Sequence, residues 1–201
     1  MPESRRRIEA SDIMDAAAYG RERAARRTAM AAFKRDRRVE VGPFATFYFE
    51  CYATMWHQVH EMLFIEKGGA EQVPDELKAY NPLIPQGREL VATVMFEIDD
   101  PAARARALAR LGGVEETAFI EVDGVRVAGR PEEDQDRTNA EGKASSVQFI
   151  HFPFPEGAIA RFRAPGARVV LGFSHSNYSH MAVMPEAVRQ ALSGDFDPVA
   201  A

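Results

Sequence analysis

The chain has little cysteine and no long apolar segment, and each deficit narrows the class of protein. Its single cysteine, Cys51, excludes an intrachain disulfide and any metal cage of several thiolates, so a metal would need histidines and carboxylates. No apolar run approaches the roughly 18 residues of a membrane helix, and the arginine-rich first residues lack the apolar stretch of a signal peptide. We therefore expect a cytoplasmic protein without a membrane-embedded part.

The sequence also lacks the short motifs that identify common enzymes. It contains no glycine-rich phosphate loop, no nucleophile elbow, no His-Glu-x-x-His zinc helix and no internal repeat. The residues alone therefore assign neither an enzymatic nor a non-enzymatic role.

The composition is that of an ordinary globular protein. Hydrophobic residues make up 46% and charged residues 27% of the 201 residues, which is enough apolar surface for one core. We expect a single α+β domain over residues 1–201, with an arginine-rich helical segment at 1–38 followed by sheet and helices at 39–201. Strand pairs joined by short turns indicate a mainly antiparallel sheet with helices packed on it.

Charge is distributed unevenly along the chain. Residues 1–40 hold 11 Lys/Arg against 7 Asp/Glu, whereas the remainder holds 14 against 23. A solvated helix face that docks on an acidic surface explains such an arginine run. Nucleic-acid binding is disfavoured because the formal net charge is −5 and phosphate binding usually requires a basic domain.

Local patterns predict most of the elements. Ser11 is the predicted N-cap of a first helix that Gly20 would break or kink, and a second helix follows at 21–37 with Met30 and Phe33 as core contacts. Further helices are predicted at 53–67, after Pro74, after Asp100-Pro101 and at 185–192. Strands are predicted at 39–41, 44–50, 89–98, 119–122, 125–128, 146–154 and 168–173. Residues 80–85 are predicted to be a stiff extended loop and 131–143 a polar loop.

The dipeptide Asp123-Gly124 gives the most specific local prediction. It lies between two apolar strands, and Asp-Gly favours a two-residue type I′ turn. We therefore expect a hairpin whose tip is Asp123-Gly124.

The helix around Trp56 is mostly apolar but carries one polar stripe. Thr54, His57, Gln58 and Glu61 lie on one side at helical spacing, and Glu50 precedes the helix. The stripe is either solvent-exposed or part of a site. The amphipathic pattern favours solvent exposure, whereas the absence of Lys and Arg from the stripe, in a chain rich in arginine, argues against it.

Two histidines flank a turn-forming segment near the end of the chain. If residues 176–179 form a hairpin turn, His175 and His180 face each other with Cβ atoms about 5 Å apart. They are then either hydrogen-bonded core histidines or a pair of metal ligands. A carboxylate beside them would suit iron, manganese or zinc. The remaining histidines, His60 and His151, and the thiol of Cys51 are interpreted as structural.

Several segments resemble a bacterial family of unknown function, domain-of-unknown-function family 3501. These segments are Arg37–Pro43, Phe49-Glu50, Gln58–Met62, Ile65-Glu66, Tyr80–Pro85, Lys143–Ser146 and His175–His180. Together they span nearly the whole chain. The resemblance implies that the candidate site residues are Glu50, Glu61, Glu66, His175, Tyr178 and His180. It also implies that the gene lies beside genes for rubrerythrin-like and iron–sulfur redox proteins. The family usually lacks histidine at the positions of His57 and His60, which argues against a ligand role for either.

Two functions remain open from the sequence. In the first, His175, His180, Glu61 and Glu50 converge as ligands of a metal in an accessory protein of a redox system. Four further residues would support these ligands or bind beside them: Tyr178, Glu66, Gln58 and Asn81. In the second, a non-catalytic protein docks on a rubrerythrin-like or iron–sulfur protein through the arginine-rich helix. A homodimer is compatible with either function.

Overall fold

A computed structural model describes residues 5–132 and 143–198 of the chain. Its α-helices are α1 (Ala16–Lys34), α2 (Tyr52–Glu66), α3 (Val73–Tyr80), α4 (Pro101–Leu108), α5 (Glu156–Arg163) and α6 (Glu186–Ser193). Its strands are β1 (Arg38–Val41), β2 (Ala45–Phe49), β3 (Glu89–Phe96), β4 (Ala118–Val122), β5 (Val125–Ala128), β6 (Arg130–Pro131), β7 (Val147–Pro153), β8 (Val169–Phe173) and β9 (Met181–Val183). Within these ranges no helix combines the length and the apolar character of a membrane span. Most of the polar loop predicted at 131–143 lies outside the described residues.

The strands form two antiparallel sheets, which confirms the α+β class and the prevalence of antiparallel pairing. One sheet has the order β1-β2-β3-β7-β6 and the other the order β5-β4-β8-β9. The sequence predicted one sheet. Local hairpin patterns do not show where one sheet ends and the next begins, because that depends on contacts between distant strands.

The main core lies between the two sheets. Phe47 on the five-stranded sheet meets Phe173 on the four-stranded sheet, with ring centres 5.0 Å apart. A second cluster fills the other face of the five-stranded sheet, where α2 packs Met55 and Val59 over Val91 of β3. Strand β3 is thus buried on both faces, as its continuous apolar run predicted.

The strongest local predictions are confirmed. The side chain of Asp100 caps α4, and Pro101 occupies its first turn. Asp123 and Gly124 join β4 to β5 with φ angles of 46° and 84°, the positive values that a type I′ turn requires.

The predictions for the N-terminal segment were partly wrong. Helix α1 begins after Asp15, whose carboxylate accepts hydrogen bonds from the main-chain N–H groups of Ala17 and Ala18, whereas Ser11 lies in a short 3₁₀ turn. Gly20 does not break the helix. It lies where a phenyl ring of α2 approaches so closely that an added Cβ would be 2.9 Å from Phe64 Cε2. The glycine therefore permits close contact between α1 and α2.

Candidate functional site

Two members of the polar stripe of α2, His57 and Glu61, face α1. Arg23 of α1 donates two hydrogen bonds to the Glu61 carboxylate, from Nε at 2.9 Å and from Nη2 at 2.8 Å. The buried Tyr19 hydroxyl donates a third at 2.8 Å and lies 3.3 Å from His57 Nδ1. His57 and Glu61 thus belong to a network between two helices, an arrangement that differs from both interpretations of the sequence.

This network fixes the charge state of its members. Hydrogen bonds from Arg23 lower the pKa of Glu61 against the opposing effect of burial, and the Tyr19 hydroxyl lowers it further. Burial, together with the Glu61 carboxylate, raises the pKa of Tyr19. Glu61 is therefore an ionised carboxylate already engaged by a guanidinium in bidentate geometry, which holds α1 against α2.

The predicted register of His175 and His180 was wrong. His175 forms a bridge with Tyr178, whose main-chain N–H donates to the His175 carbonyl at 2.9 Å. The main-chain carbonyl of His180 instead accepts a hydrogen bond from Phe173 N–H. The turn is tighter than predicted because Tyr178 enters the core, with its ring among Phe96 and Phe173.

Tyr178 is a structural anchor. Only 3% of its surface is exposed, and its hydroxyl donates to the Val41 carbonyl at 2.8 Å. The same oxygen accepts hydrogen bonds from the N–H groups of Phe44 and Ala45, at 3.0 and 2.9 Å. It therefore satisfies three main-chain groups of the β1–β2 turn.

The two histidine rings contact main-chain atoms and other rings. His175 Nδ1 accepts from Asn177 N–H, and its Nε2 lies 3.2 Å from the Gly112 carbonyl. The His180 ring lies edge-on to Tyr178 and against Gly42, where an added Cβ would be 2.6 Å from His180 Cγ. Both rings thus help to dock the 174–180 turn on its neighbours.

Glu50 lies at the end of β2 and is only 4% exposed. Its Oε1 accepts a hydrogen bond from Thr93 at 2.8 Å, while Oε2 has no hydrogen-bond partner among the described residues. Nearby, the buried Arg37 donates to the main-chain carbonyls of Phe49 and Glu50 and pairs with Asp195. Glu50 is therefore the one predicted ligand with a buried oxygen that its described neighbours leave unsatisfied.

The other predicted residues are dispersed. Gln58 Nε2 lies 3.5 Å from the Tyr80 hydroxyl, and Glu66 accepts a hydrogen bond from Gln72. Asn81 accepts from Ile8 N–H at 2.8 Å and donates to the Ile8 carbonyl at 3.1 Å, so it ties the N-terminal segment to the body. The 80–85 segment, predicted to be extended, contains a 3₁₀ turn at Asn81–Leu83.

The four predicted metal ligands thus occupy three separate environments. Glu61 lies between α1 and α2, Glu50 follows β2, and the histidines belong to the turn after β8. Over residues 5–132 and 143–198, no three His, Cys, Asp or Glu side chains form a group that could hold a metal ion. The described geometry does not assemble these four residues into one ligand set.

The other two histidines make complete sets of polar contacts. His60 Nε2 accepts from Met14 N–H at 2.9 Å, so its Nδ1 carries the proton and donates to the Trp56 carbonyl at 2.7 Å. Burial lowers the pKa of His60. His151 lies between the carboxylates of Glu89 and Glu132, at 3.1 and 2.8 Å. Burial lowers the pKa of His151, but the two glutamates outweigh this effect and raise it above its ordinary value.

An open groove on the surface of α1 and α2 combines arginine with aromatic side chains. It has a volume of about 570 Å³ and is lined chiefly by Arg5, Arg26, Met30, Phe33, Tyr52 and Trp56. We call it the arginine groove. Guanidinium groups lie over its rings: Arg5 over Tyr52 at 4.2 Å, Arg26 over Trp56 at 5.0 Å, and Arg37 over Phe33 at 5.5 Å. Such pairs are cation–π contacts.

The sequence predicted the wrong environment for this surface. Phe33, predicted as a core contact, is 44% exposed, and Met30 is only partly buried. Tyr19 is the one buried residue of the 19-residue helix α1. The i, i+4, i+7 spacing of Arg26, Met30 and Phe33 was visible in the sequence, but spacing does not tell a core-facing stripe from an open one.

The two arginines that line the groove are paired with carboxylates. Arg5 lies 3.2 Å from Asp12, which also lines the groove, and Arg26 lies 2.7 Å from Glu22. Both guanidinium groups remain partly exposed in these pairs. The groove thus offers aromatic surface bordered by two arginines in exposed ion pairs.

Comparisons with known proteins identify relatives of nearly the whole chain. A family model described as "Protein of unknown function (DUF3501)" matches residues 7–196. A crystal structure of a novel protein of unknown function from Burkholderia pseudomallei is similar, with 33% sequence identity and a TM-score of 0.88 over 94% of this chain and 99% of that one. No curated protein matches the chain. The match of the family model to residues 7–196 confirms the resemblance seen in the motifs, and the chain belongs to the DUF3501 family of proteins of unknown function.

Proposed function

We propose that the protein is a non-catalytic interaction module that docks an acidic protein through the arginine groove. The observation that carries the proposal is the exposure of α1. Only one residue of this 19-residue helix is buried, so packing against the rest of the protein stabilises it little. Its exposed surface includes Phe33, which is 44% exposed, beside three arginine–aromatic pairs. Arginine and aromatic side chains are enriched at the energetic centres of protein interfaces.

The charges around the groove favour an acidic partner. Arg5 and Arg26 line the groove in exposed ion pairs with Asp12 and Glu22. Because such exposed pairs contribute little to stability, a partner's carboxylates can replace Asp12 and Glu22 at these guanidinium groups. The chain as a whole is acidic, with a formal net charge of −5, which disfavours nucleic acid as the occupant. The partner we infer is a protein that presents an apolar side chain between carboxylates.

The first partners to test are acidic rubrerythrin-like and iron–sulfur redox proteins, the setting that the family resemblance implies. A role as a metal-binding accessory protein has less support. It would rest on Glu50 alone, because the other predicted ligands make contacts elsewhere in the described structure.

The test is site-specific photocrosslinking in cells. A benzoylphenylalanine at position 33 should form an adduct with an acidic protein, and the same group at Val183, which is 58% exposed on β9, should not. The adduct should disappear when Arg26→Glu reverses one arginine of the groove and should persist when Arg161→Glu reverses an exposed arginine of α5. Equal adducts from both crosslinking positions, or an adduct only with a second copy of the chain, would contradict the proposal.

A further inference from the structure

A second and larger cavity lies at the N-terminal end of α1, apart from the arginine groove. It has a volume of about 820 Å³ and lies between α1, the second half of α2 and the start of α3. Its walls are mainly apolar and include Ile13, Met14, Leu63, Phe64, Val73 and Pro74. Small-molecule sites in proteins are typically concave, mostly apolar and of about 300–1,000 Å³.

The polar groups in the walls already have partners inside the protein. His60 uses both ring nitrogens, on Met14 N–H and the Trp56 carbonyl, and the Tyr19 hydroxyl donates to Glu61. The Asp15 carboxylate caps the first turn of α1. Since these groups are satisfied, a polar ligand would lose its hydrogen bonds to water without replacing them. The body of a ligand for this cavity is therefore apolar.

One charged side chain at the cavity is available to a ligand. Lys67 follows the last residue of α2 in the left-handed conformation, with φ 57°, and it is exposed at the cavity. It forms no ion pair with any other described residue, and an ammonium group offers three hydrogen-bond donors and no acceptor. The matching ligand group is a carboxylate.

We propose that this cavity binds an apolar monocarboxylate of the fatty-acid type. The hydrocarbon chain fills the space between α1, α2 and α3, and the carboxylate pairs with Lys67. This site is separate from the arginine groove, so its occupancy does not depend on the proposed docking function.

Methionine-methyl NMR tests this assignment, because Met14 lines the cavity whereas Met30 lines the arginine groove. Titration of the full chain with dodecanoate, below the concentration at which it forms micelles, should shift the Met14 methyl resonance saturably and leave that of Met30 unchanged. No saturable shift at Met14, or a shift at Met30 instead, would overturn the proposal. A Met14 resonance that shifts with protein concentration alone would show that a second copy occupies the cavity, which would also overturn it.

Variants at exposed positions test the location without endangering the fold. Ala17→Phe places a ring in the cavity wall, where it occupies space that the hydrocarbon chain would fill. The substitution should therefore weaken dodecanoate binding at least about tenfold. The matched control Ala25→Phe, on an exposed part of α1 outside the cavity, should bind as the parent protein does. Equal affinities of these two variants would place the ligand elsewhere.

Charge reversal tests the role of Lys67. Lys67→Glu should weaken dodecanoate binding about fivefold, the effect of losing one exposed ion pair, and should leave dodecanol binding unchanged. The control Lys78→Glu, at an exposed lysine of α3 outside the cavity, should change neither affinity. Equal weakening of dodecanoate and dodecanol by Lys67→Glu would refute the carboxylate assignment.

Discussion

Replacing Tyr178 by phenylalanine tests whether this residue anchors the β1–β2 turn. The substitution removes one oxygen and keeps the ring that packs between Phe96 and Phe173. That oxygen donates to one main-chain carbonyl and accepts from two main-chain N–H groups, at distances of 2.8 to 3.0 Å. The variant therefore isolates three hydrogen bonds from the packing of the ring.

The expected loss of stability follows from the number of these bonds. A hydrogen bond contributes about 0.5–1.5 kcal/mol net, and a buried group left without a partner costs about 1–3 kcal/mol. Water can reach the partly buried Phe44 N–H, so the full penalty does not apply to all three groups. We expect Tyr178→Phe to lower the free energy of unfolding by about 3 kcal/mol.

Urea unfolding followed by circular dichroism measures this difference. The matched control is Tyr48→Phe, because the Tyr48 hydroxyl makes an exposed hydrogen bond to Glu97 at 2.9 Å. The control should lose less than about 1 kcal/mol. If Tyr178→Phe lost no more than Tyr48→Phe, the hydroxyl would not hold the turn, and the described register of the 174–180 segment would be wrong.

Three further predictions follow from the same structure. Gly42→Ala should destabilise the protein by at least about 2 kcal/mol in urea unfolding, because φ is +68° and a Cβ would meet the His180 ring. Gly113→Ala should cost about 1 kcal/mol, because φ is also positive there but an added Cβ would meet no atom within 4 Å. His151 has a raised pKa when folded, so its stabilisation should be complete below pH 6.5 and should fade as the pH rises above that value. His151→Gln should abolish this dependence in unfolding measured across pH. Burial raises the pKa of the Cys51 thiol, so a thiol reagent at pH 8 should modify the folded protein at least about tenfold more slowly than the urea-unfolded chain.

The predictable part of the fold is the part that neighbouring residues determine. Asp123-Gly124 requires positive φ angles at two adjacent positions, and Asp100-Pro101 combines a cap with a fixed φ at the helix start. Neither depends on a distant contact. Both features are therefore present in the structure where the sequence placed them.

The unpredicted part depends on contacts between distant segments. In the sequence, Glu61 is recognisable only as one member of a polar stripe. Its partners Tyr19 and Arg23 precede it by 42 and 38 residues, so no local pattern connects them. Phe33 has the spacing of a core residue, yet nothing in the described structure covers its side chain fully. A hairpin turn at 176–179 would have paired His175 with His180, but the burial of Tyr178 sets a different register, in which His175 pairs with Tyr178.

The affinity of a purified complex tests the proposed docking function most directly. Once photocrosslinking has identified the partner, its affinity for each variant can be measured. Phe33→Ala should weaken binding at least about tenfold, as expected for an aromatic residue at the centre of an interface. The matched control Phe44→Ala removes another exposed phenylalanine, 37% exposed in the β1–β2 turn, and should leave the dissociation constant unchanged. Raising the salt concentration from 50 to about 300 mM should weaken the parent complex, because arginines border the groove. Equal affinities of the two variants, with no dependence on salt, would contradict docking through the arginine groove.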